Sequence, residues 1–130
     1  AAGSLPASFR AAELGAAPVP AADTVLLVDL LYQMPEDAQA RLLNRSAAAA
    51  RRRVVIRAFD PDRGWRSTVG RAMEHANRAL RGDRRAVIRP LPLPVLARML
   101  EERGFRTSVS PCWAGTPLPN VLLLAERDVP

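Results

Sequence analysis

Thr24-Val-Leu-Leu-Val-Asp29 is a continuous apolar run that ends abruptly in an acid. A run without alternation is typical of a parallel strand that is buried on both faces. In open α/β sheets, ligands bind at the carboxyl ends of such strands, so Asp29 is expected beside a crevice. The fold assignment depends on this hexapeptide being an interior parallel strand.

Helix and strand signals alternate after this run. A proline followed by two acids at 35–37 is typical of a helix start, and the apolar spacing beyond it predicts an amphipathic helix over 35–49. Residues 53–57 contain three consecutive β-branched residues and predict a second strand, which the turn-rich loop 59–64 ends. This alternation favours strands joined by helical crossovers.

A second helix is predicted beyond that loop, and Gly82 is expected to end it in the left-handed conformation. Its inner, apolar face is predicted to carry Val69, Ala72, Met73, Ala76 and Leu80. Its outer, polar face is predicted to carry Arg71, Glu74, His75 and Arg78. His75 is therefore expected to be an ordinary surface residue.

The remaining elements complete the order β, β, α, β, α, α, β, β. They are a first strand around 8–12, a stiff PLPLP lead-in at 90–94, a third helix over 95–103, and strands at 105–110 and 120–125. A nonhelical loop joins the last two strands, so they most simply pair antiparallel. This ending distinguishes the chain from doubly wound domains that finish on parallel strands.

Composition limits the class of protein. The 130 residues are 48% hydrophobic but only 5% aromatic, which favours one domain with an aliphatic core of helices on a sheet. Without a membrane-length apolar segment or a signal-peptide pattern, the chain is expected to be cytoplasmic and free of membrane contacts. The single cysteine, Cys112, is expected at a strand end, and no metal site is expected.

The formal net charge is +6, and all 19 basic residues are arginines. They are scattered over several elements with few interleaved aromatics, so nucleic-acid binding is a third, disfavoured hypothesis. The arginine run at 51–53 is interpreted as a solvated loop before a strand.

Four segments in order resemble the class I S-adenosylmethionine (SAM)-dependent methyltransferases. ADTVLLVDLLYQMP at 22–35 is similar to the family's fourth strand and its exit, an apolar run followed by D-x-L-H-x-L-P. Residues 53–66 resemble the family's fifth strand and its loop. Residues 93–109 resemble the helix and GF turn before the sixth strand, and residues 120–127 resemble the last strand. SFRAAEL at 8–14 would be the third strand.

The resemblance implies an α/β, Rossmann-like class I methyltransferase fold that is incomplete. A mostly parallel sheet would end in an antiparallel hairpin, with helices on both faces. Residues 1–130 would be one partial domain, with the third strand and a linker in 1–22 and strands four to seven with their helices in 23–130. The family's G-x-G-x-G turn and second strand have no counterpart, so the chain is expected to begin within a longer polypeptide.

The resemblance also implies SAM as cofactor and assigns the site residues. The expected catalytic residues are Tyr32, which stands where many relatives have His, and Arg57. The expected cofactor-binding residues are Glu13, Leu14, Asp29, Leu30 and Leu31, and the expected substrate-binding residues are Asp60, Trp65 and Arg66. As alternatives, Asp29 is a helix-side cap or a turn acid, Arg57 or Arg66 pairs with Asp60 or Asp62, and Trp65 anchors a loop over the core.

The resulting hypothesis is a methyltransferase for a small-molecule acceptor, although this chain alone is expected to be inactive. The alternative is a non-catalytic binding or assembly module that retains the substrate half of the fold. A strand at 24–29 with an unpaired edge invites pairing, so we expect either a homodimer through that edge or association with the missing N-terminal segment.

Overall fold

The computed structural model describes residues 6–82 and 89–128. Its elements are β1 (Ala22–Val28), a 3₁₀ turn (Leu31–Gln33), α1 (Glu36–Ala49), β2 (Ala50–Phe59), α2 (Trp65–Leu80), α3 (Leu93–Glu101), β3 (Arg106–Pro111) and β4 (Asn120–Glu126). From residue 22 onward, the predicted order of helices and strands is confirmed, and the bounds shift by a few residues. Residues 1–5 of the predicted N-terminal linker region lie outside the described residues.

The four strands form one sheet in the order β1-β2-β4-β3. β1 pairs parallel with β2, so Val28 lies beside Arg57 at the carboxyl ends of both strands. β4 runs antiparallel to both β2 and β3, which confirms the terminal hairpin. This order places the ends of the two parallel strands next to each other at one edge of the sheet.

The predicted strand at 8–12 is wrong, because residues 6–13 have no regular secondary structure. A strand needs a neighbouring backbone to satisfy its N–H and C=O groups, and none of the described strands pairs with this segment. A turn follows at 14–16, where Leu14 and Gly15 accept hydrogen bonds from the Arg45 guanidinium of α1. The segment is thus held by a side chain of α1.

One face of the sheet carries the core. α1 and α3 pack on this face. The most deeply buried apolar side chains larger than alanine there are Leu42, Leu43, Val54, Ile56, Leu96, Leu100, Val121 and Leu123. All are aliphatic, as the composition predicts.

The opposite face of β1 is open, which corrects the prediction that this strand is buried on both faces. Val25 and Leu27 are buried, but Leu26 is 64% exposed and Val28 is 57% exposed. Within the part of the chain that the structure describes, β2 is the only strand beside β1, and no helix covers Leu26 or Val28. β1 is therefore an edge strand here rather than an interior one.

β2 is longer than predicted, because the arginine run at 51–53 lies within the strand rather than in a loop. The three arginine side chains are exposed, and two of them pair with acids on the neighbouring strands. Arg51 contacts Asp23 at 3.2 Å, and Arg53 contacts Glu126 at 2.7 Å. Such exposed pairs add little stability, but they keep the run solvated.

α2 has the predicted position but the opposite orientation. On the predicted inner face Met73 is 50% exposed and Leu80 is 88% exposed, whereas Ser67, Gly70 and Arg78 are buried. The helix docks through polar contacts and a close approach: Ser67 Oγ donates a hydrogen bond to the backbone oxygen of Asp60 at 2.7 Å. Periodicity identified the helix correctly, but the prediction of its inner face was wrong.

None of the helices within 6–82 and 89–128 is long and apolar enough to cross a bilayer.

Gly82 follows α2 with φ 75°, so the predicted left-handed helix end is confirmed.

The docking of α2 can be tested at Gly70. A Cβ there would lie 2.6 Å from Phe59 Cε2 and 2.8 Å from Pro119 Cδ, both parts of rigid rings. We expect Gly70→Ala to lower the free energy of unfolding by about 1 kcal/mol, because overpacking costs roughly 1–3 kcal/mol and outweighs the roughly 1 kcal/mol gained in helix propensity. Urea denaturation followed by circular dichroism measures the change.

Gly15→Ala is the matched control, because nothing lies within 4 Å of its Cβ position. We expect it to change stability by less than about 0.5 kcal/mol. A Gly70→Ala variant more stable than the parent would show that α2 does not dock on Phe59 and Pro119.

Candidate functional site

A cleft of about 150 Å³ lies where β1 and β2 end, and α2 crosses above it. Its polar lining consists of Asp29, Tyr32, Arg57, Arg71, Glu74 and Asn120, and its apolar lining of Phe59, Gly70 and Leu118. Three of these, Asp29, Tyr32 and Arg57, were predicted from the sequence as site residues. The structure brings them together at the edge of the sheet where ligands of open α/β folds bind.

Asp29 ends β1 in an unusual backbone conformation. Its φ is 51°, the only positive φ of a non-glycine residue among those described. Asp tolerates this region better than most residues, yet the conformation costs free energy and needs support. The Asp29 N–H donates to the Arg57 oxygen at 3.3 Å, and the Asp29 oxygen accepts from the Gln33 side chain. These bonds turn the chain away from the sheet and into the 3₁₀ turn.

The Asp29 and Arg57 side chains form an ion pair across the strand ends, with Arg57 Nη1 2.5 Å from Asp29 Oδ2. About a third of each side chain is exposed. The other carboxylate oxygen, Oδ1, and the Arg57 Nε are buried and have no hydrogen-bond partner among the described residues. The pair thus retains one buried acceptor and one buried donor, and unsatisfied groups of this kind are uncommon unless a ligand or water completes them.

Tyr32 lies in the 3₁₀ turn, and its ring centroid is 6.1 Å from that of Phe59 at an interplanar angle of 52°. Burial raises the pKa of Tyr32 above its ordinary value of 10.0, and the carboxylates of Asp29 and Glu74 add to the increase. The cations Arg57 and Arg78 oppose it. The phenol is therefore protonated at neutral pH and can donate a hydrogen bond.

Three polar residues of the cleft were missed by the sequence reasoning. Arg71 and Glu74 come from α2, and Asn120 begins β4. Glu74 accepts a hydrogen bond from Arg78 Nε at 3.2 Å, and Asn120 is only 7% exposed. The signal that could have found the α2 pair was the polar face of the helix, which was assigned to solvent.

Asp60 is placed in the loop after β2 rather than in the lining of the cleft. It is 5% exposed, and its carboxylate accepts from the Asp62 N–H at 3.0 Å and from Arg63 Nε at 2.6 Å. The predicted alternative pairing of Asp60 or Asp62 with Arg57 or Arg66 is not seen, because Arg57 pairs with Asp29 and Arg66 Nη1 donates to the Thr116 oxygen. These bonds make Asp60 the organiser of the loop that leads into α2.

Trp65 and Arg66 form a second cluster beside this loop. The Arg66 guanidinium carbon lies 4.9 Å from the Trp65 ring centroid and 5.4 Å from that of Trp113, and Arg63 lies 5.0 Å from Trp113. Trp65 is 63% exposed, so it does not anchor the loop by burial. Neither Trp65 nor Arg66 lines the cleft, and their substrate-binding role stays a prediction.

The remaining predicted cofactor residues lie away from the cleft. Leu31 is a core side chain that is 4% exposed, whereas Leu14 and Leu30 line a separate, largely apolar groove along the edge of β1. Glu13 is exposed, and its backbone oxygen accepts two hydrogen bonds in the following turn. Of the predicted cofactor-binding residues, Asp29 is the one that lines the cleft. The roles of Glu13 and Leu14 stay predictions.

Solved structures with this architecture include several methyltransferases. One is magnesium protoporphyrin IX methyltransferase (ChlM) from Synechocystis PCC 6803 with bound SAH, at a TM-score of 0.63 and 18% identity over 93% of this chain and 51% of that one. TnmH has a TM-score of 0.62 and 24% identity over 93% of this chain and 35% of that one. Human N-acetylserotonin methyltransferase in complex with SAM has a TM-score of 0.58 and 17% identity over 93% of this chain and 34% of that one.

The chain therefore has the class I SAM-dependent methyltransferase fold in part, as the sequence resemblance predicted. It spans about half or less of the length of these three structures. At such identities the likeness establishes the fold alone. No protein-family model matches the chain, and no curated protein matches it significantly.

Tyr32 is the only tyrosine of the chain, so its ionisation can be followed by the absorbance of tyrosinate. We expect a midpoint above pH 10.0, because burial is the largest cause of the raised pKa. Glu74→Gln should lower this midpoint, since it removes a nearby negative charge. Glu102→Gln, at the exposed end of α3, should leave it unchanged. A midpoint at or below 10.0 in the parent would contradict the buried position of Tyr32.

The same shift links Tyr32 to stability. Because its pKa is raised in the folded state, its contribution to the free energy of unfolding is fully present below pH 10.0 and is lost as the pH rises through the folded-state pKa. Because Tyr32→Phe has no group that titrates there, the denaturation midpoint of the parent should fall relative to that of Tyr32→Phe as the pH rises through the folded-state pKa.

Proposed function

We propose that this chain is the substrate-side part of a SAM-dependent methyltransferase that acts on a small molecule. The observation that carries the proposal is the meeting of Asp29, Tyr32 and Arg57 around a cleft at the carboxyl ends of two parallel strands. The likeness of the fold to solved methyltransferases supports it, and so does the order of sequence motifs.

The residues at the end of β1 fit one end of the implied cofactor. Asp29 Oδ1 is a buried carboxylate oxygen without a partner, which suits a cationic group, and the backbone of Leu30 and Leu31 leads away from it. When bound, SAM would supply a methyl group carried on a sulfonium. The sequence contains no G-x-G-x-G turn, so the groups that would hold the rest of the cofactor must come from outside this chain.

The acceptor would occupy the part of the cleft between Arg57 and α2. Arg57 Nε is a buried donor without a partner and suits an acid or carbonyl oxygen of the acceptor. Tyr32, which stays protonated at neutral pH, would donate a hydrogen bond and orient the acceptor. Methyl transfer needs no catalytic dyad, so positioning is the main contribution of these residues.

An acceptor whose reacting atom carries a proton also needs a base. Glu74 is the carboxylate that α2 presents to the cleft. Its contact with Arg78 is 3.2 Å long, whereas the contact that engages Asp29 with Arg57 is 2.5 Å. We propose that Glu74 receives this proton.

The partner most consistent with the open side of the sheet is a segment that adds a strand beside β1. Among the described strands, β1 has one unpaired edge. Its exposed face carries Leu26 and Val28, and a largely apolar groove runs along it. Such an edge favours pairing with further polypeptide. Each of the three solved structures contains further polypeptide beyond the part that this chain covers, which is 51% or less of its length.

The second candidate is a non-catalytic binding or assembly module with the same half of the fold. The exposed Leu26 and Val28 of β1, which is an edge strand among the described strands, favour it, because such an edge offers a docking surface. Cofactor binding separates the two functions, because a module of this kind needs none.

Isothermal titration of the natural polypeptide that carries this chain, with S-adenosylhomocysteine as ligand, tests the enzyme function. We expect binding in the parent and a roughly tenfold larger dissociation constant for Asp29→Asn, equivalent to about 1.4 kcal/mol of lost binding free energy. Asp23→Asn is the control, since Asp23 lies at the opposite end of β1 in an exposed ion pair. Absence of heat at millimolar ligand would favour the binding module.

The role of Glu74 is tested by kinetics once an acceptor is found. We expect Glu74→Gln to lower kcat by about 10²-fold, because a positioned base contributes on that scale, while the KM for the cofactor changes little. Glu102→Gln should match the parent. An equal loss in both variants, or none in either, would exclude Glu74 as the base.

A further inference from the structure

α2 exposes a row of apolar side chains along its whole length. We call this row the apolar stripe; it consists of Trp65, Val69, Ala72, Met73, Ala76 and Leu80. These positions recur at helical spacing and share one side of the helix. Trp65 is 63% exposed, Met73 50% and Leu80 88%, so the stripe faces solvent at both ends and in the middle.

The stripe does not pack against the rest of the described chain. The opposite side of α2 is already docked, because Gly70 lies against Phe59 and Pro119 and Ser67 bonds to Asp60. Turning the stripe inward would break these contacts and would remove Glu74 from the cleft. An exposed apolar row of this kind, in which only Val69 is half-buried, is typical of an interaction site.

The sequence of the stripe is self-complementary in an antiparallel pair. With a twofold axis between residues 72 and 73, Trp65 of one copy falls opposite Leu80 of the other. The same axis places Val69 opposite Ala76, and Ala72 opposite Met73. Each residue of the stripe thus falls opposite a stripe residue of the other copy, and each of the two inner pairs joins a larger side chain to an alanine. This alternation lets two helices approach closely and interdigitate.

The charges beside the stripe are compatible with this pairing despite the net charge of +6. The flanking residues Thr68 and Asn77 are neutral and fall opposite each other. Arg66 falls opposite Ala79, in the last turn of the partner helix, where the free carbonyl groups favour a cation. No two arginines of the α2 flanks are opposed by this axis.

We propose that α2 pairs antiparallel with α2 of a second copy of this chain through the apolar stripe. The pairing is isologous, as in most homodimers, and does not use the open edge of β1. It stands independently of the proposed function. Its functional consequence is that the partner helix supports α2 from behind, so the face that carries Arg71 and Glu74 is held over the cleft.

The pairing is expected to be weak. A helix of 16 residues is about 24 Å long, and one such pair buries less than the roughly 1,200 Å² of a stable specific interface. The dimer fraction should therefore depend on concentration in the micromolar range or above.

Single-cysteine crosslinking of the full chain tests the pairing and its direction. In a Cys112→Ser background, Met73→Cys lies beside the axis and should give a disulfide-linked dimer under mild oxidation. Leu80→Cys alone should not, but a mixture of Trp65→Cys and Leu80→Cys chains should give the mixed dimer. Efficient crosslinking of Leu80→Cys with itself would overturn the antiparallel arrangement.

Sedimentation velocity over a range of concentrations provides the second measurement. Ala76→Glu places a charge in the stripe at an exposed position and should abolish the concentration-dependent doubling of mass, with an unchanged helical spectrum. His75→Glu, exposed outside the stripe, should dimerise like the parent. A parent that is monomeric at all concentrations, or a dimer that Ala76→Glu leaves intact, would overturn the proposal; the latter would indicate pairing through β1.

Discussion

The parallel pairing of β1 with β2 is the constraint on which the rest of the structure depends. It aligns Val28 with Arg57 and so brings the last residues of both strands to one edge of the sheet. Only with this register can the Asp29 carboxylate reach the Arg57 guanidinium, and their ion pair supports a backbone conformation that is costly for a residue with a Cβ. The 3₁₀ turn that positions Tyr32 begins from that conformation.

The elements that could be predicted from sequence are those whose stability is local or lies in a pattern. Aliphatic runs at 24–28 and 120–125 become strands because α1 and α3 bury one face of the sheet, and the hairpin follows from the short nonhelical loop between the last two strands. The segment 8–12 shows the limit of this reasoning. Its residues permit a strand, but a strand also needs a backbone partner, and none of the described strands provides one.

The candidate site was predictable where it depends on strand ends and not where it depends on the orientation of a helix. Asp29 and Arg57 follow from the rule that ligands lie at carboxyl ends of strands, and Tyr32 from the resemblance. Glu74 was missed because hydrophobic periodicity assigned the apolar side of α2 to the core. In the structure the docking force comes instead from a serine hydrogen bond and from a glycine that admits two rings, neither of which a hydrophobicity pattern records.

The inverted α2 connects the two surfaces of this molecule. A helix that turned its apolar side inward would gain roughly 1.5–3 kcal/mol for each large side chain it buried, so the observed orientation is costly for an isolated chain. It becomes favourable if a partner covers the stripe, because the same apolar burial is then recovered between molecules. The polar face remains free to line the cleft with Glu74 and Arg71. Assembly and the geometry of the cleft would then be coupled through one helix, since whatever stabilises its outer side also fixes its inner side.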